Sequence, residues 1–280
     1  MSTPFTRRIF GSLLLGLALS YAVDVSAAET NGNWLARYWQ TDDGLPDNSV
    51  AGVAQTPDGY LWIGTPTGLA RFDGLRFDSL SLTNVIAPPN RGVITMLRGT
   101  NSALWLAMDR GGLVCLYGKA SRAFTKELPN FIPFSLAEGS EGGCWISYRN
   151  GSVYHIKDNQ VTALTAQQGL PAGGENCALA TDLKGRVWFA KGGQVGIILN
   201  GALYTLIRLE ATAIRLAPAK NGGLWLCAGF HLFKSDDQGH LQDYGEFHPE
   251  NTGTTTTAIL EDHDGAIWIG TSFSGLFRRD

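Results

Sequence analysis

Apolar residues along this chain fall in short runs broken by glycine-rich polar stretches, and no segment sustains a long helical period. Six of the runs align on a tryptophan. They are Asp58-Gly-Tyr-Leu-Trp62-Ile-Gly-Thr65, Asn101-Ser-Ala-Leu-Trp105-Leu-Ala107, Glu141-Gly-Gly-Cys-Trp145-Ile-Ser147, Lys184-Gly-Arg-Val-Trp188-Phe-Ala190, Asn221-Gly-Gly-Leu-Trp225-Leu-Cys227 and Asp264-Gly-Ala-Ile-Trp268-Ile-Gly270. The tryptophans stand 43, 40, 43, 37 and 43 residues apart, close to the ~40–45 residues that one four-stranded propeller blade occupies.

Each slot of the repeat has a physical reading. Three residues before the tryptophan stands Gly59, Ser102, Gly142, Gly185, Gly222 or Gly265, where a tight hairpin needs a positive φ angle. The residue after the tryptophan (Ile63, Leu106, Ile146, Phe189, Leu226, Ile269) is apolar in every copy. Two after it the residue is small: Gly64, Ala107, Ser147, Ala190, Cys227 and Gly270. A strand apolar on both faces is sandwiched between two sheets, and the small residue makes room beside the bulky indole.

The pattern predicts an all-β chain, a β-propeller of six Trp-anchored four-stranded blades. Inner strands are expected over 50–55, 93–97 and 258–261, and third strands over 69–72, 113–116, 153–156 and 276–279. Outer strands are expected at 77–82, 124–128, 161–164 and 203–209. The last copy stops after its third strand. The stretch Trp34-Leu-Ala-Arg-Tyr-Trp39-Gln-Thr41 resembles an outer strand, and it is expected to complete the sixth blade and close the ring without an open edge. An open arc of six blades is the alternative.

Composition narrows the function classes. Charged residues make up 17% of the chain, against about 25% in an average soluble domain. The repeat accounts for much of the excess of glycine and tryptophan. Lys and Arg number 22 against 25 Asp and Glu, a net charge of −3, so no basic surplus is present to neutralise a nucleic-acid backbone. Ahead of the repeats, Arg7 and Arg8 precede the apolar run Ile9 to Val23 and the small residues Ser26 and Ala27. That is the layout of a secretory signal peptide over 1–27, cleaved near Ala27. Thr6-Arg-Arg-Ile-Phe10 also fits a twin-arginine export signal, and an uncleaved membrane anchor is the alternative. The reading leaves 28–280 as one propeller domain in the periplasm. No later stretch approaches the ~20 apolar residues of a membrane helix.

The run Trp39-Gln-Thr-Asp-Asp-Gly-Leu-Pro-Asp-Asn-Ser-Val50, followed by Gln55-Thr-Pro-Asp-Gly-Tyr-Leu-Trp-Ile-Gly-Thr65 and Gly68-Leu-Ala-Arg-Phe-Asp-Gly74, closely resembles the two-component regulator propeller repeat. Gly169-Leu-Pro171 and Glu261-Asp-His-Asp-Gly-Ala-Ile-Trp-Ile-Gly-Thr271 repeat parts of it. The resemblance implies a periplasmic sensor propeller that takes up an extracellular cue, an oligosaccharide in some members, and signals to a histidine kinase or diguanylate cyclase. Family members typically pair two seven-bladed rings with a β-sandwich, a membrane helix and an output enzyme. This chain shows six anchors and none of those additions, so it reads either as the sensor portion of a longer receptor or as a free-standing protein.

Candidate chemistry is sparse. His155, His231, His240, His248 and His263 are scattered without metal-ligand spacing, so no metal or cofactor is expected. Asp262-His-Asp264 falls in a hairpin slot and reads as a turn. The pairs Asp42/Asp43 and Asp236/Asp237 are adjacent in sequence and unsuited to general acid–base work. No catalytic motif appears, and Cys115, Cys144, Cys177 and Cys227 are expected as thiols rather than bridges. A binding site belongs at the mouth of the central channel, in the loops 42–49, 84–92, 165–176 and 247–256. Asn48, Arg91, Asn176 and His248 are its candidate contacts, with Arg91 the best partner for a carboxylate or sulfate. Three functions fit this layout. They are a sensor of a small ligand such as an oligosaccharide, a scaffold for a periplasmic protein partner, and a lyase-type propeller enzyme. A sensor would pass its signal to a membrane-bound partner or through self-association.

Overall fold

Every one of the six tryptophans lies on the second strand of an antiparallel sheet, between an inner strand and a third strand. The computed structural model describes residues 37–82, 84–86, 92–118, 120–211 and 213–280. The expected signal peptide lies outside them. The propeller occupies a unit from Trp39 to Asp280.

The first blade is β1 (Gly52–Gln55), β2 (Leu61–Thr65), β3 (Gly68–Phe72) and β4 (Phe77–Leu80). The second is β5 (Val93–Arg98), β6 (Leu104–Met108), β7 (Leu113–Tyr117) and β8 (Ala120–Phe124). The third is β9 (Pro133–Ala137), β10 (Cys144–Tyr148), β11 (Val153–Lys157) and β12 (Gln160–Ala163). The fourth is β13 (Ala178–Thr181), β14 (Val187–Lys191), β15 (Gln194–Leu199) and β16 (Ala202–Arg208). The fifth is β17 (Ile214–Pro218), β18 (Leu224–Ala228), β19 (His231–Ser235) and β20 (Leu241–Glu246). The sixth is β21 (Thr256–Glu261), β22 (Ile267–Thr271) and β23 (Leu276–Arg279). Strands within each blade pair in chain order, and the inner strands β1, β5, β9, β13, β17 and β21 pack in succession around the axis. This is the six-bladed all-β propeller that the repeat predicts. One outer strand differs from expectation: β8 covers 120–124 rather than 124–128. Gly118 turns the chain early at positive φ, and Phe124 and Leu128 drop into the core instead.

Alternation along the second strand now has a cause. Trp105, Trp145, Trp188 and Trp225 face the following blade, while Leu106, Ile146, Phe189, Leu226 and Ile269 face the preceding one. Each inter-blade core is thus built from the two opposite faces of neighbouring anchors. Gly64 shows why the slot two after the tryptophan stays small. A Cβ there would lie 2.6 Å from Val93 Cγ1 of the second blade. The hairpin slot also behaves as read, since all six of its members, Ser102 included, adopt positive φ.

The two ends of the blade series differ from the middle. Among the described residues, Ile63 of the first blade is covered by Leu45 and Trp39 rather than by another sheet, with Trp39 edge-on to Phe72 at 5.1 Å. Val53 on β1 remains 58% exposed and Leu260 on β21 remains 59% exposed. Among the described residues, β1 and β21 share no packing like that between the other inner strands. The sixth sheet has three strands. Of the stretch expected to complete it, 34–36 lie outside the described residues and 37–40 form no strand.

The Gly-Leu-Pro motif proves to be a core device. Thr41–Asp43 and Ala166–Gln168 are single 3₁₀ turns, each ended by a left-handed glycine, Gly44 or Gly169. The leucine that follows is then aimed inward: Leu45 is buried, and Leu170 packs on the core between the third and fourth blades.

Candidate functional site

A cavity of about 610 Å³ opens where the third to sixth blades converge on the axis. Its apolar walls include Phe134, Ala178, Ile214 and Phe230. Its polar lining includes Arg149, Asn176, Arg215 and Thr257.

Each polar group is placed by a different local rule. Arg149 follows the anchor strand β10, and its backbone N–H donates to Ile132 O at 3.0 Å. Asn176 sits in the left-handed region at φ 64°, a conformation its short amide tolerates, and its N–H donates to Arg149 O at 2.9 Å. Arg215 lies on the inner strand β17 and spans the axis. Its Nε donates to Thr257 O of the sixth blade at 3.0 Å, and its guanidinium lies 4.6 Å from the ring centroid of Phe134 in the third blade. Burial lowers the Arg215 pKa from its ordinary value, and the nearby Arg149 charge adds to that effect.

The donors that remain are what the cavity offers a ligand. Among the described residues, the Arg215 Nη groups and the side chains of Arg149, Asn176 and Thr257 have no hydrogen-bond or ion-pair partner. Among the described residues, no carboxylate and no histidine belongs to the lining. Lys191, buried beside the site, is already committed to the carbonyls of Gly173 and Gly174. The site can therefore donate hydrogen bonds and attract negative charge.

The four sequence candidates separate. Asn176 lines the cavity. Asn48 is turned to its own loop, where its Oδ1 accepts the Thr41 N–H at 2.9 Å. His248 is exposed in the loop after β20 and does not line the cavity. Arg91 lies outside the described residues. Arg149, Arg215 and Thr257 were not among the candidates. The repeat alignment holds the missing signal. Ten residues before the anchor stand Gly52, Thr95, Ser135, Ala178, Arg215 and Ala258, so Arg215 is the one charged residue in its slot.

The other candidate chemistry resolves into structure. Asp262, His263 and Asp264 cluster closely enough to suggest a cation site. The Asp262 carboxylate is used in its turn, however, by the N–H groups of Asp264 and Ala266 and by Trp268 Nε1. Asp237 pairs with Lys184 and Arg186 of the fourth blade, while Asp236 accepts from His240 at 2.7 Å. All four cysteines are thiols, and burial raises the Cys115 pKa to about 11.

The model of the two component regulator propeller family matches residues 44–67 and 251–273. The chain carries two-component regulator propeller repeats. These are the first and last copies, the two in which Asp-Gly precedes the tryptophan and Ile-Gly-Thr follows it. No curated protein sequence matches the chain. Among solved structures, virginiamycin B lyase from Staphylococcus aureus is similar over 82% of this chain and 83% of its own, at 14% identity and a TM-score of 0.65. The extracellular domain of the hybrid two component system BT3049 from B. thetaiotaomicron is similar over 87% of this chain, at 16% identity and a TM-score of 0.66. This chain spans 35% of that structure. PorZ of Porphyromonas gingivalis, a surface component of the type-IX secretion system, is similar over 81% of this chain, at 16% identity and a TM-score of 0.60. At these identities the likenesses establish the propeller fold and nothing finer.

Proposed function

We propose that this chain is the ligand-sensing propeller of a bacterial signal-transduction system, exported to the periplasm, where it binds a small ligand such as an oligosaccharide without transforming it. One observation carries the reading: in a chain built on sensor-family repeats, the axial cavity brings together donors that the fold leaves without partners. Propellers place ligand sites at such a mouth because the loops of several blades meet there on a rigid scaffold. The hybrid two-component neighbour supports the same compartment. No helix among the described residues is long and apolar enough to cross a membrane, and in this reading the signal passes to a membrane-bound partner or through self-association.

A thermal-shift screen of the purified 28–280 chain against oligosaccharides tests the proposal, because a ligand that binds only the folded state raises the melting temperature. The expected result is stabilisation by one glycan class that disappears in Ala213→Trp, which fills the cavity from an exposed lining position. Stabilisation unaffected by that substitution would move the site elsewhere. Turnover of the glycan would replace sensing by lyase activity.

A further inference from the structure

We infer that the axial cavity is selective for an anionic group, and that its ligand is a saccharide carrying a carboxylate or sulfate held between Arg149 and Arg215. The inference rests on the sensing reading and names its ligand class.

Charge supplies the first argument. Two guanidinium groups line one cavity in a chain of net charge −3, and among the described residues no carboxylate lines it with them. Elsewhere in the chain Arg186 pairs with Asp182 and Asp237, and Arg71 with Asp78. Arg149 and Arg215 have none among the described residues. Two like charges brought together without a counter-ion repel, so an anion bound between them gains from both. A planar guanidinium presents a fork of donors that matches a carboxylate or sulfate edge.

Preorganisation is the second argument. Arg215 is held before any ligand arrives, by Thr257 O on one side and the Phe134 ring on the other. Its fork is already oriented, and little side-chain freedom is left to lose on binding. Phe134 and Phe230 give the cavity apolar ring faces beside the cations, while Asn176 and Thr257 offer neutral donors and acceptors for hydroxyl groups. A bare inorganic anion would use only the arginines. An acidic sugar would use all of these groups.

Isothermal titration at constant ionic strength separates the sources, with three probes: inorganic sulfate, tetragalacturonate and neutral cellotetraose. Tetragalacturonate is expected to bind at least tenfold more tightly than cellotetraose. Its affinity should fall at least tenfold in Arg149→Ala and in Arg215→Gln, and fall with added salt. Arg149→Ala removes an exposed side chain without a structural partner, so its folding is not at risk. Sulfate binding lost in both variants, without any oligosaccharide binding, would uphold the anion site and overturn the saccharide. Cellotetraose binding as tightly as tetragalacturonate, unchanged in both variants, would overturn the anion site and leave sensing intact. No binding by any of the three probes would overturn the inference.

Discussion

The guanidinium of Arg215 in the fifth blade stacks on the Phe134 ring of the third, 4.6 Å from its centroid. Two blades that are not neighbours are thereby joined across the channel. Arg215→Lys keeps the charge but removes the planar stack and the Nε bond to Thr257 O. The expected cost is about 1–2 kcal/mol of folding stability, read as a lower denaturant midpoint with an unchanged slope. An unchanged midpoint would mean that the contact contributes nothing.

Trp188 and Asp182 predict a larger effect. Asp182 is 5% exposed, and its Oδ2 accepts both Trp188 Nε1 at 2.8 Å and Arg186 Nε at 2.6 Å. Removing it leaves the buried Trp188 Nε1 and the partly exposed Arg186 Nε without that acceptor, together with the Lys184 and Arg186 N–H groups that its Oδ1 accepts. Asp182→Ala should cost about 3 kcal/mol or more. Asp182→Asn, which keeps an acceptor, should cost clearly less. Equal losses in the two variants would assign the effect to the charge rather than to the indole bond.

Gly64 and Gly270 fill the same repeat slot and should respond differently to the same change. A Cβ at Gly64 would run into buried Val93 of the next blade, whereas at Gly270 its nearest neighbour is Thr257 Oγ1 at 3.4 Å. Gly64→Ala is expected to destabilise by about 1–3 kcal/mol through overpacking. Gly270→Ala should be near neutral, because among the described residues its Cβ would meet only ordinary van der Waals contacts. Thermal unfolding of the two variants side by side checks this.

Asp236 gives a pH signature. The His240 ring holds its carboxyl down, with help from the N–H groups of His240 and Gln238, and its pKa falls from 3.8 to about 2. A carboxyl depressed in the folded state stabilises the fold above its unfolded pKa, and that contribution is lost as pH falls through the folded one. The window is therefore about pH 4 to 2. In His240→Ala the Asp236 carboxyl should titrate closer to 3.8 by NMR; an unmoved midpoint would contradict the pairing.

Much of this architecture is legible in the sequence because each repeat states its own constraints. Trp62 and Trp268 announce their strands, and the glycine three before each announces the turn. Ser102 is informative because it keeps the same backbone angle without being glycine. The outer strand β8 was less legible, because its sequence Ala120-Ser-Arg-Ala-Phe124 is mostly exposed and lacks an apolar signature. The site was harder still. Asn48 and Asn176 look alike as loop amides, yet one serves its own turn and the other faces the axis. That distinction depends on contacts between blades distant in sequence, such as Arg215 to Phe134.

A map of backbone amide shifts on addition of tetragalacturonate shows where the ligand binds. Perturbations are expected to concentrate on Asn176, Ile214, Arg215 and Thr257, around the axial cavity, and to need at least tenfold more ligand in Arg149→Ala. Perturbations centred instead on the loops of Asn48 and His248, and persisting unchanged in that variant, would contradict the axial site.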